Sequence, residues 1–283
     1  MPANIPDWIR PRDFDRTAYE KTLNTIREHA LNTVCMEANC PNRYECFSHG
    51  TATFMILGNI CTRNCLYCNV RSGRPEPVDK EEPGRIADAV KKLGIKHAVI
   101  TCVTRDDLED GGASHFADVV ESIKKENNCT IELLISDLNG SRKALETIVR
   151  AGPDIINHNI EVVSRLFPKL RPKGSYRRST ELLERIKRIN PGMTTKSGLM
   201  VGLGETMEEV FETLQDLRKA GCDIVTAGQY LRPTPRHAPV KKYYTPQQFK
   251  KIKQEALSLG FRHAEAGPLV RSSYHASKAL EAA

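Results

Sequence analysis

Short apolar runs alternate with amphipathic stretches along most of this chain. Runs rich in apolar and β-branched residues predict strands at 54–57, 98–103, 130–135, 155–160, 197–203 and 224–230. Between them, apolar positions at helical spacing predict helices at 83–93, 113–126, 142–151, 179–189 and 208–220. Strands that alternate with helices in this way form parallel sheets. The pattern favours a partial (β/α)6 barrel or an open doubly wound sheet, since a closed barrel needs eight such units.

Irregular segments border this α/β region on both sides. Residues 1–50 combine a Pro-rich start, one predicted helix from Tyr19 and a cysteine-rich segment. Residues 233–283 begin with a Pro-rich stretch, continue with a helix after Thr245 and end in a polar tail. We therefore predict a partial barrel at 51–232 with an N-terminal extension before it and a C-terminal extension after it.

The overall charge and composition exclude several classes of protein. The net charge is +7, but the cations are spread along the chain, and few aromatic residues are available to stack on bases. A nucleic-acid groove is therefore not expected, although a modest basic face could steer an acidic protein partner. The apolar runs are too short to span a membrane, and the first residues carry Pro and Asp where a leader peptide is apolar. We expect a cytoplasmic protein without a membrane partner.

Cysteine provides the strongest sign of chemistry, because six of the nine cysteines lie between positions 35 and 68. Cys61, Cys65 and Cys68 follow the first predicted strand with the spacing Cys-x3-Cys-x2-Cys. Three thiolates can hold three corners of a soft metal centre, whereas structural zinc and iron–sulfur cubes both take four ligands. An iron–sulfur cluster with one open iron, to which a small molecule binds, fits this loop best. A zinc site completed elsewhere in the chain is the alternative.

A second set of cysteines precedes the first strand. Cys35, Cys40 and Cys46 are spaced Cys-x4-Cys-x5-Cys, which differs from the first set. The difference favours two separate metal centres over a single six-cysteine zinc site. Three further cysteines, Cys102, Cys129 and Cys222, fit small buried apolar residues.

Polar and glycine residues gather where the predicted strands end. In a parallel barrel the carboxyl ends of the strands meet on one face, which would also carry the Cys61–Cys68 loop. For the carboxylates in this set, capping of a helix N-terminus is the competing interpretation. The candidates are Asp106, Asp107, Gly111, Gly112, Asn157, Asn159, Glu161, Gly198, Gly202, Glu205 and Gln229.

The cysteine loop after the first strand resembles the radical S-adenosylmethionine (radical SAM) superfamily, with Tyr67 as the aromatic residue before the last cysteine. The stretch Gly198-x-Met200-x-Gly202-x-x-Glu205 is similar to the superfamily's Gly-x-Ile-x-Gly-x-x-Glu strand motif. Within that superfamily, the segment Cys35-x4-Cys40-Pro-Asn-x3-Cys46 and the tail Arg271-Ser-Ser-Tyr-His-Ala276 resemble the lipoyl synthase family. This resemblance covers nearly the whole chain. Met36 and Cys102 depart from the family pattern, but neither position is a ligand.

The resemblance implies two 4Fe-4S clusters and S-adenosyl-L-methionine (SAM). Cys61, Cys65 and Cys68 would hold the cluster that binds SAM, from which a 5′-deoxyadenosyl radical is made. Cys35, Cys40 and Cys46 would hold an auxiliary cluster that supplies sulfur, with Ser273 as its fourth ligand. The strand-end residues named above, together with Tyr67, would contact SAM. Without the resemblance, Ser272 and Ser273 would be interpreted as surface hydroxyls.

The implied reaction belongs to lipoate biosynthesis and protein lipoylation. It inserts two sulfur atoms, at C6 and C8 of a protein-bound octanoyl-lysine group. The implied partners are an octanoylated lipoyl-carrier domain, of an acyltransferase subunit or a glycine cleavage H-type protein, and an electron donor such as ferredoxin or flavodoxin. Arg177 and Arg271 are candidates to contact the carrier, although solvated arginine is the competing interpretation.

Three other functions compete with this one. A biotin-synthase-like radical SAM sulfurtransferase is the nearest, and the first cysteine set and the Ser-Ser-Tyr tail argue against it. A non-catalytic iron–sulfur electron carrier would need neither an open iron nor the glycine-rich fifth strand. A structural zinc protein is the third.

Overall fold

The computed structural model describes residues 5–10, 14–274 and 276, and its elements follow the predicted alternation. The strands are β1 (Thr53–Ile56), β2 (Ile60–Cys61), β3 (Arg71–Ser72), β4 (His97–Cys102), β5 (Thr130–Leu134), β6 (Ile155–Asn157), β7 (Thr194–Val201), β8 (Ile224–Gln229) and β9 (His263–Gly267). The α-helices are α1 (Arg16–Glu28), α2 (Val34–Glu37), α3 (Arg43–Ser48), α4 (Glu82–Leu93), α5 (Ala113–Glu126), α6 (Arg142–Ala151), α7 (Phe167–Leu170), α8 (Tyr176–Ile189), α9 (Met207–Lys219) and α10 (Pro246–Ser258). Among these helices, none is long and apolar enough to cross a membrane.

Seven of the strands form one parallel sheet in the order β1-β4-β5-β6-β7-β8-β9. Because each strand pairs with the next one along the chain, the sheet is wound in one direction and is not doubly wound. The ends of the series, β1 and β9, are the edges, which makes it a partial barrel. The prediction of a partial barrel is confirmed, with one more strand than the six expected.

The additional strand, β9, lies in the stretch that the sequence assigns to the C-terminal extension. It reads His-Ala-Glu-Ala-Gly and pairs in register with β8, from Ile224 opposite His263 to Gly228 opposite Gly267. Its composition lacks the β-branched and aromatic residues typical of strands, so its sequence gives no strand signal. Pairing with an existing strand edge supplies the order that the composition does not.

Charged side chains lie inside the sheet as well as apolar ones. Lys196 and Glu132 are each exposed by 1% or less, and the Lys196 ammonium lies 2.9 Å from both Glu132 carboxylate oxygens. Asn157 donates a further hydrogen bond of 2.9 Å to Glu132. Burial opposes the charged carboxylate, but Lys196 and its neighbours hold the pKa of Glu132 below its ordinary value. Glu132 of β5 thus connects to Asn157 of β6 and to Lys196 of β7 in the interior of the barrel.

The two extensions close over one end of the barrel. Thr33 forms an antiparallel bridge with Phe54, which fixes the cysteine-rich segment of α2 and α3 to β1. After β9 the chain turns back over β8. The Val270 carbonyl lies where a side chain at position 228 would point, so the close approach is possible because residue 228 is glycine. Both extensions thereby reach the carboxyl ends of the strands, where chemistry lies in barrels of this type.

Candidate active site

A cavity of about 480 Å³ opens at the carboxyl ends of the strands. This volume lies within the range of about 300–1,000 Å³ that is typical of small-molecule sites. Residues from the N-terminal extension, the barrel and the tail all line it. They include all six cysteines of the two sets, Cys35, Cys40, Cys46, Cys61, Cys65 and Cys68, together with Ser272 and Ser273.

The loop that carries the first set begins at β2 and ends before β3. Cys61 is the last residue of β2, and its sulfur accepts a hydrogen bond of 3.4 Å from the Arg63 amide. Burial raises the pKa of the Cys68 thiol to about 12, and burial also raises the pKa of Cys65. Thiols in such surroundings become thiolates only beside a strong positive charge, which a metal centre supplies.

Backbone contacts from two sides hold this loop in place. The Leu66 amide donates to the Leu170 carbonyl (2.9 Å), and the Leu66 carbonyl accepts from the Ala238 amide (2.8 Å). The Nε2 atom of His237 donates to the Cys68 carbonyl at 2.9 Å. Segments on either side thus position the cysteines through their backbone.

Arg63, within the same loop, connects it to the barrel. It is 4% exposed, and its guanidinium donates to Asp106, Asp137 and Asn139 at 2.7–2.8 Å. Burial opposes ionisation of Asp137, but Arg63 lowers its pKa to about 2. Asp106, predicted to contact SAM, is therefore a partner of Arg63 in this structure.

The second set lies on and between two short helices. Cys35 is in α2, Cys46 is in α3, and Cys40 is in the connection between them. Burial, followed by the proximity of the other thiols of the set, raises the pKa of Cys35 to about 11 and that of Cys46 to about 12. All three cysteines of this set line the same cavity.

The tail contributes two serines, Ser272 and Ser273, to the cavity that the second set lines. Ser272 accepts a hydrogen bond of 3.3 Å from the Asn159 amide, which lies at the end of β6. The next residue but one, Tyr274, donates to Glu45 in α3. Ser272 thus contacts the barrel, Tyr274 contacts α3, and Ser273 is the residue between them in the sequence. His275 of the tail motif lies outside the described residues.

Five of the residues predicted to contact SAM line the cavity. They are Tyr67, Asn159, Glu161, Gly198 and Gln229. Glu161 has a positive φ of 69°, and enclosure raises the pKa of its carboxyl although Arg171 opposes this shift. Strained backbone of this kind is concentrated at functional sites. A side chain on Gly198 would approach Thr226 Oγ1 to 2.7 Å and Asn159 Oδ1 to 2.9 Å, so only glycine leaves this part of the cavity open.

The other predicted contacts make structural interactions outside the cavity lining. Asp107 pairs with Arg105 at 2.8 Å, and Asn157 bonds to Glu132. Gly111 and Gly112 form the turn before α5, where a side chain on Gly112 would overlap Leu57. Glu205 accepts hydrogen bonds from the amides of Gly202 and Leu203, at 2.5 and 2.9 Å. For this group a role in SAM binding stays a prediction.

The donors around the cavity suit two iron–sulfur clusters. Each set offers three thiols, and the tail adds the hydroxyls of Ser272 and Ser273 to the lining of the same cavity. Across the described part of the chain, no three Cys, His, Asp or Glu side chains converge on the position of a single metal ion. His158, which also lines the cavity, has both ring nitrogens bonded, to the Ile135 carbonyl and the Ser179 hydroxyl. It is therefore a structural residue and not a ligand.

Comparison with known proteins decides the family. The radical SAM superfamily matches residues 55–217, which is more than half of the chain. A lipoyl synthase from Caldanaerobacter subterraneus subsp. tengcongensis is 52% identical, and the match covers 100% of this chain and 99% of that protein. A lipoyl synthase from Rubrobacter xylanophilus is 53% identical over 98% of this chain and 86% of that protein.

The chain belongs to the lipoyl synthase family. It is accordingly a radical SAM sulfur-inserting enzyme, and its cofactors are SAM and 4Fe-4S clusters, of which lipoyl synthases have two. The family predicted from the two cysteine sets and the tail is confirmed, and the electron-carrier and zinc alternatives are set aside.

Solved structures with low sequence identity share the fold of this chain. Methylornithine synthase has a TM-score of 0.57 at 13% identity, over 90% of this chain and 79% of that one. Streptococcus suis SuiB bound to S-adenosylmethionine has a TM-score of 0.59 at 13% identity, over 89% of this chain and 56% of that one. These likenesses show the barrel alone.

Several residues that shape the site carry no signal of that role in the sequence. Arg63 was visible between two of the cysteines, but its partners Asp137 and Asn139 come from a distant loop. Asn42 and Glu45 were visible between Cys40 and Cys46, yet nothing local shows that they contact the tail. Cys102 is only half-buried and borders the cavity, and Cys129 is half-buried as well, whereas Cys222 is buried as expected.

Proposed function

We propose that the two cysteine sets, which line one cavity, divide the reaction between them. Cys61, Cys65 and Cys68 hold the cluster that binds SAM, and Cys35, Cys40, Cys46 and Ser273 hold the auxiliary cluster. When bound, these groups supply the radical and the sulfur for insertion at C6 and C8 of the octanoyl chain. The observation that carries the proposal is that all six cysteines and Ser273 line the same cavity.

The chain's own residues orient the reactants and exclude water. We assign Tyr67, Asn159, Glu161, Gly198 and Gln229 to the SAM side, because they line the cavity at the strand ends. Apolar lining side chains, among them Met55, Leu199 and Met200, suit an alkyl chain that must lie between the two centres. Exclusion of water protects a radical, as this chemistry requires.

The experiment that tests this function is an anaerobic assay with a short substrate. The reconstituted protein is mixed with SAM, dithionite and an octanoyl-lysine peptide, and the products are read by mass spectrometry. A dithiolated octanoyl product with 5′-deoxyadenosine supports the proposal. Formation of 5′-deoxyadenosine without any sulfur in the peptide would reject this substrate or this role of the auxiliary cluster.

The partner proposed for this site is an octanoylated lipoyl-carrier domain with an acidic surface. Support comes from two stretches without any carboxylate, 162–180 and 224–254, which contact the Cys61–Cys68 loop on either side. Their cations are Arg165, Lys169, Arg171, Lys173, Arg177 and Arg178 in the first, and Arg232, Arg236, Lys241, Lys242, Lys250, Lys251 and Lys253 in the second. Leu66, an exposed apolar residue, lies between them. Basic residues around an apolar centre suit recognition of an acidic domain.

The two basic stretches, 162–180 and 224–254, are called the rim below. Reversing two charges on this rim is expected to weaken recognition of the folded carrier. Lys169 precedes Leu170, which bonds to Leu66, and Arg236 precedes His237, which bonds to Cys68; both side chains are exposed. For the double variant Lys169→Glu/Arg236→Glu we expect KM for an acidic octanoylated carrier domain to rise about threefold to tenfold, through slower association. KM for the short octanoyl-lysine peptide, which lacks the folded carrier surface, should not change.

The matched control reverses two exposed charges outside both stretches, in the last turns of α4 and α5, in the variant Lys91→Glu/Lys125→Glu. Steady-state kinetics at low and high salt measure both variants. An equal rise in KM for the two variants would mean that net charge matters and the rim does not.

We also propose a ferredoxin or flavodoxin as the electron donor and the cytoplasm as the location of the protein. Nine free cysteines suit a reducing compartment.

A further inference from the structure

The tail is held at two points by the segment between Cys40 and Cys46. The Asn42 side-chain amide donates to the Leu269 carbonyl at 2.6 Å. The Tyr274 hydroxyl lies 3.0 Å from each of the two Glu45 carboxylate oxygens. Because Leu269 and Tyr274 flank Ser272 and Ser273 in the sequence, these contacts fix the serine-bearing stretch from both ends.

Both anchoring side chains are buried. Asn42 is 3% exposed and Glu45 is 6% exposed. A carboxylate at such a position is costly unless hydrogen bonds replace its water. The Tyr274 hydroxyl supplies such a bond, so removing it leaves the buried carboxylate less well compensated. The contact is therefore a specific one between the tail and α3.

We propose that Asn42 and Glu45 are positioning residues that hold Ser273 against the second cysteine set. This inference rests on the proposed role of Ser273 as a ligand. Glu45 directly precedes Cys46, and Asn42 follows Cys40 by two positions, so any movement of the cysteine-bearing segment is transmitted to the tail. The three thiols and the serine then behave as one unit, although the serine is more than two hundred residues away from the thiols in the sequence.

A consequence of this coupling is reciprocity. If the docked tail favours a complete auxiliary site, then filling that site must favour the docked tail by the same factor. The tail amides of Val270 and Tyr274 bond to the Gly267 and Arg271 carbonyls at 3.1 and 3.0 Å. Their protection from hydrogen exchange therefore reports docking independently of catalysis.

The test measures hydrogen–deuterium exchange of the peptide 268–274 in anaerobically reconstituted protein, before and after the clusters are loaded. Loading should slow exchange in the natural protein. In Tyr274→Phe and Glu45→Ala we expect exchange about tenfold faster than in the natural protein, the effect of losing a hydrogen bond to a charged group. Glu45→Gln, whose amide oxygen still accepts, should restore part of the protection.

Two further variants make the result decisive. The double variant Glu45→Ala/Tyr274→Phe should speed exchange by less than the product of the two single effects, because both single variants remove the contact between Glu45 and Tyr274. Tyr44→Phe is the matched control, since it loses a hydroxyl on the same helix that bonds only to Arg43 among the contacts described. Exchange rates equal to this control in Tyr274→Phe and Glu45→Ala would overturn the proposal, as would effects that multiply in the double variant.

Iron content and 5′-deoxyadenosine separate this inference from the proposed function. The variants should lose iron and sulfide of the auxiliary cluster while they keep formation of 5′-deoxyadenosine. If the natural protein failed to produce a dithiolated product but the exchange results held, the proposed function would be rejected. The positioning role of Asn42 and Glu45, called the clamp below, would be retained. If loading the clusters left exchange of the tail unchanged in the natural protein, the clamp would be rejected whatever the products were.

Discussion

Sulfur insertion is expected to fall at least about 100-fold in Gly228→Ala, a loss typical of misplaced reacting groups. A Cβ atom on Gly228 would lie 2.0 Å from the Val270 carbonyl oxygen and 3.1 Å from an Arg271 guanidinium nitrogen. The nearer atom belongs to the backbone, so the tail itself must move, and Ser273 moves with it. Formation of 5′-deoxyadenosine should stay close to normal, because the Cys61–Cys68 loop does not contact this stretch of the tail in the described hydrogen bonds.

The control for this variant is Gly84→Ala, because a Cβ at Gly84 meets nothing within 4 Å. Both variants are compared for dithiolated product and for 5′-deoxyadenosine under the same conditions. If Gly228→Ala inserted sulfur as fast as Gly84→Ala, the close approach of the tail to β8 would have no part in the reaction. A parallel loss of both products would indicate a damaged barrel instead.

The second large effect concerns the choice between the two serines. Ser273→Ala should lose the auxiliary cluster's iron and sulfide, and sulfur insertion should fall below detection. Ser272→Ala should keep both clusters and lose activity by no more than about tenfold, the value of one hydrogen bond, because its hydroxyl bonds to Asn159.

Iron and sulfide analysis together with product formation measures this pair of variants, and each serine serves as the control for the other. Loss of the auxiliary cluster in Ser272→Ala alone would make the assignment to Ser273 wrong. Equal losses in both variants would mean that the tail acts through its position and not through one ligand.

Much of the fold was predictable because its pattern is local. Apolar runs and helical periodicity gave six strands in their order, and the cysteine spacings gave both sets of candidate ligands. The strand β6 ended earlier than predicted, at Asn157; Asn159 and Glu161 line the cavity, and Glu161 keeps an isolated parallel bridge to Leu199 of β7. The strand β9 was missed because its order comes from pairing with β8 and not from its own residues.

The candidate site was predictable in its ligands and less so in its supporting contacts. Asp106 and Asn157 lie at strand ends, as a SAM-binding residue would, but each has a buried partner, Arg63 or Glu132. Sequence position cannot distinguish a side chain that faces the cavity from one that faces a neighbouring strand. The contact between Glu45 and Tyr274 spans 229 positions, so only the folded chain shows it.

The central claim is that the two cysteine sets have different roles, and two single substitutions test it most directly. Cys65→Ala and Cys40→Ala are reconstituted, and a single turnover with SAM, dithionite and octanoyl-lysine peptide is read by mass spectrometry. We predict that Cys65→Ala makes neither 5′-deoxyadenosine nor dithiolated peptide, while Cys40→Ala makes 5′-deoxyadenosine without inserting two sulfur atoms. Dithiolated peptide from Cys40→Ala, or 5′-deoxyadenosine from Cys65→Ala at the rate of the natural protein, would contradict this division of roles.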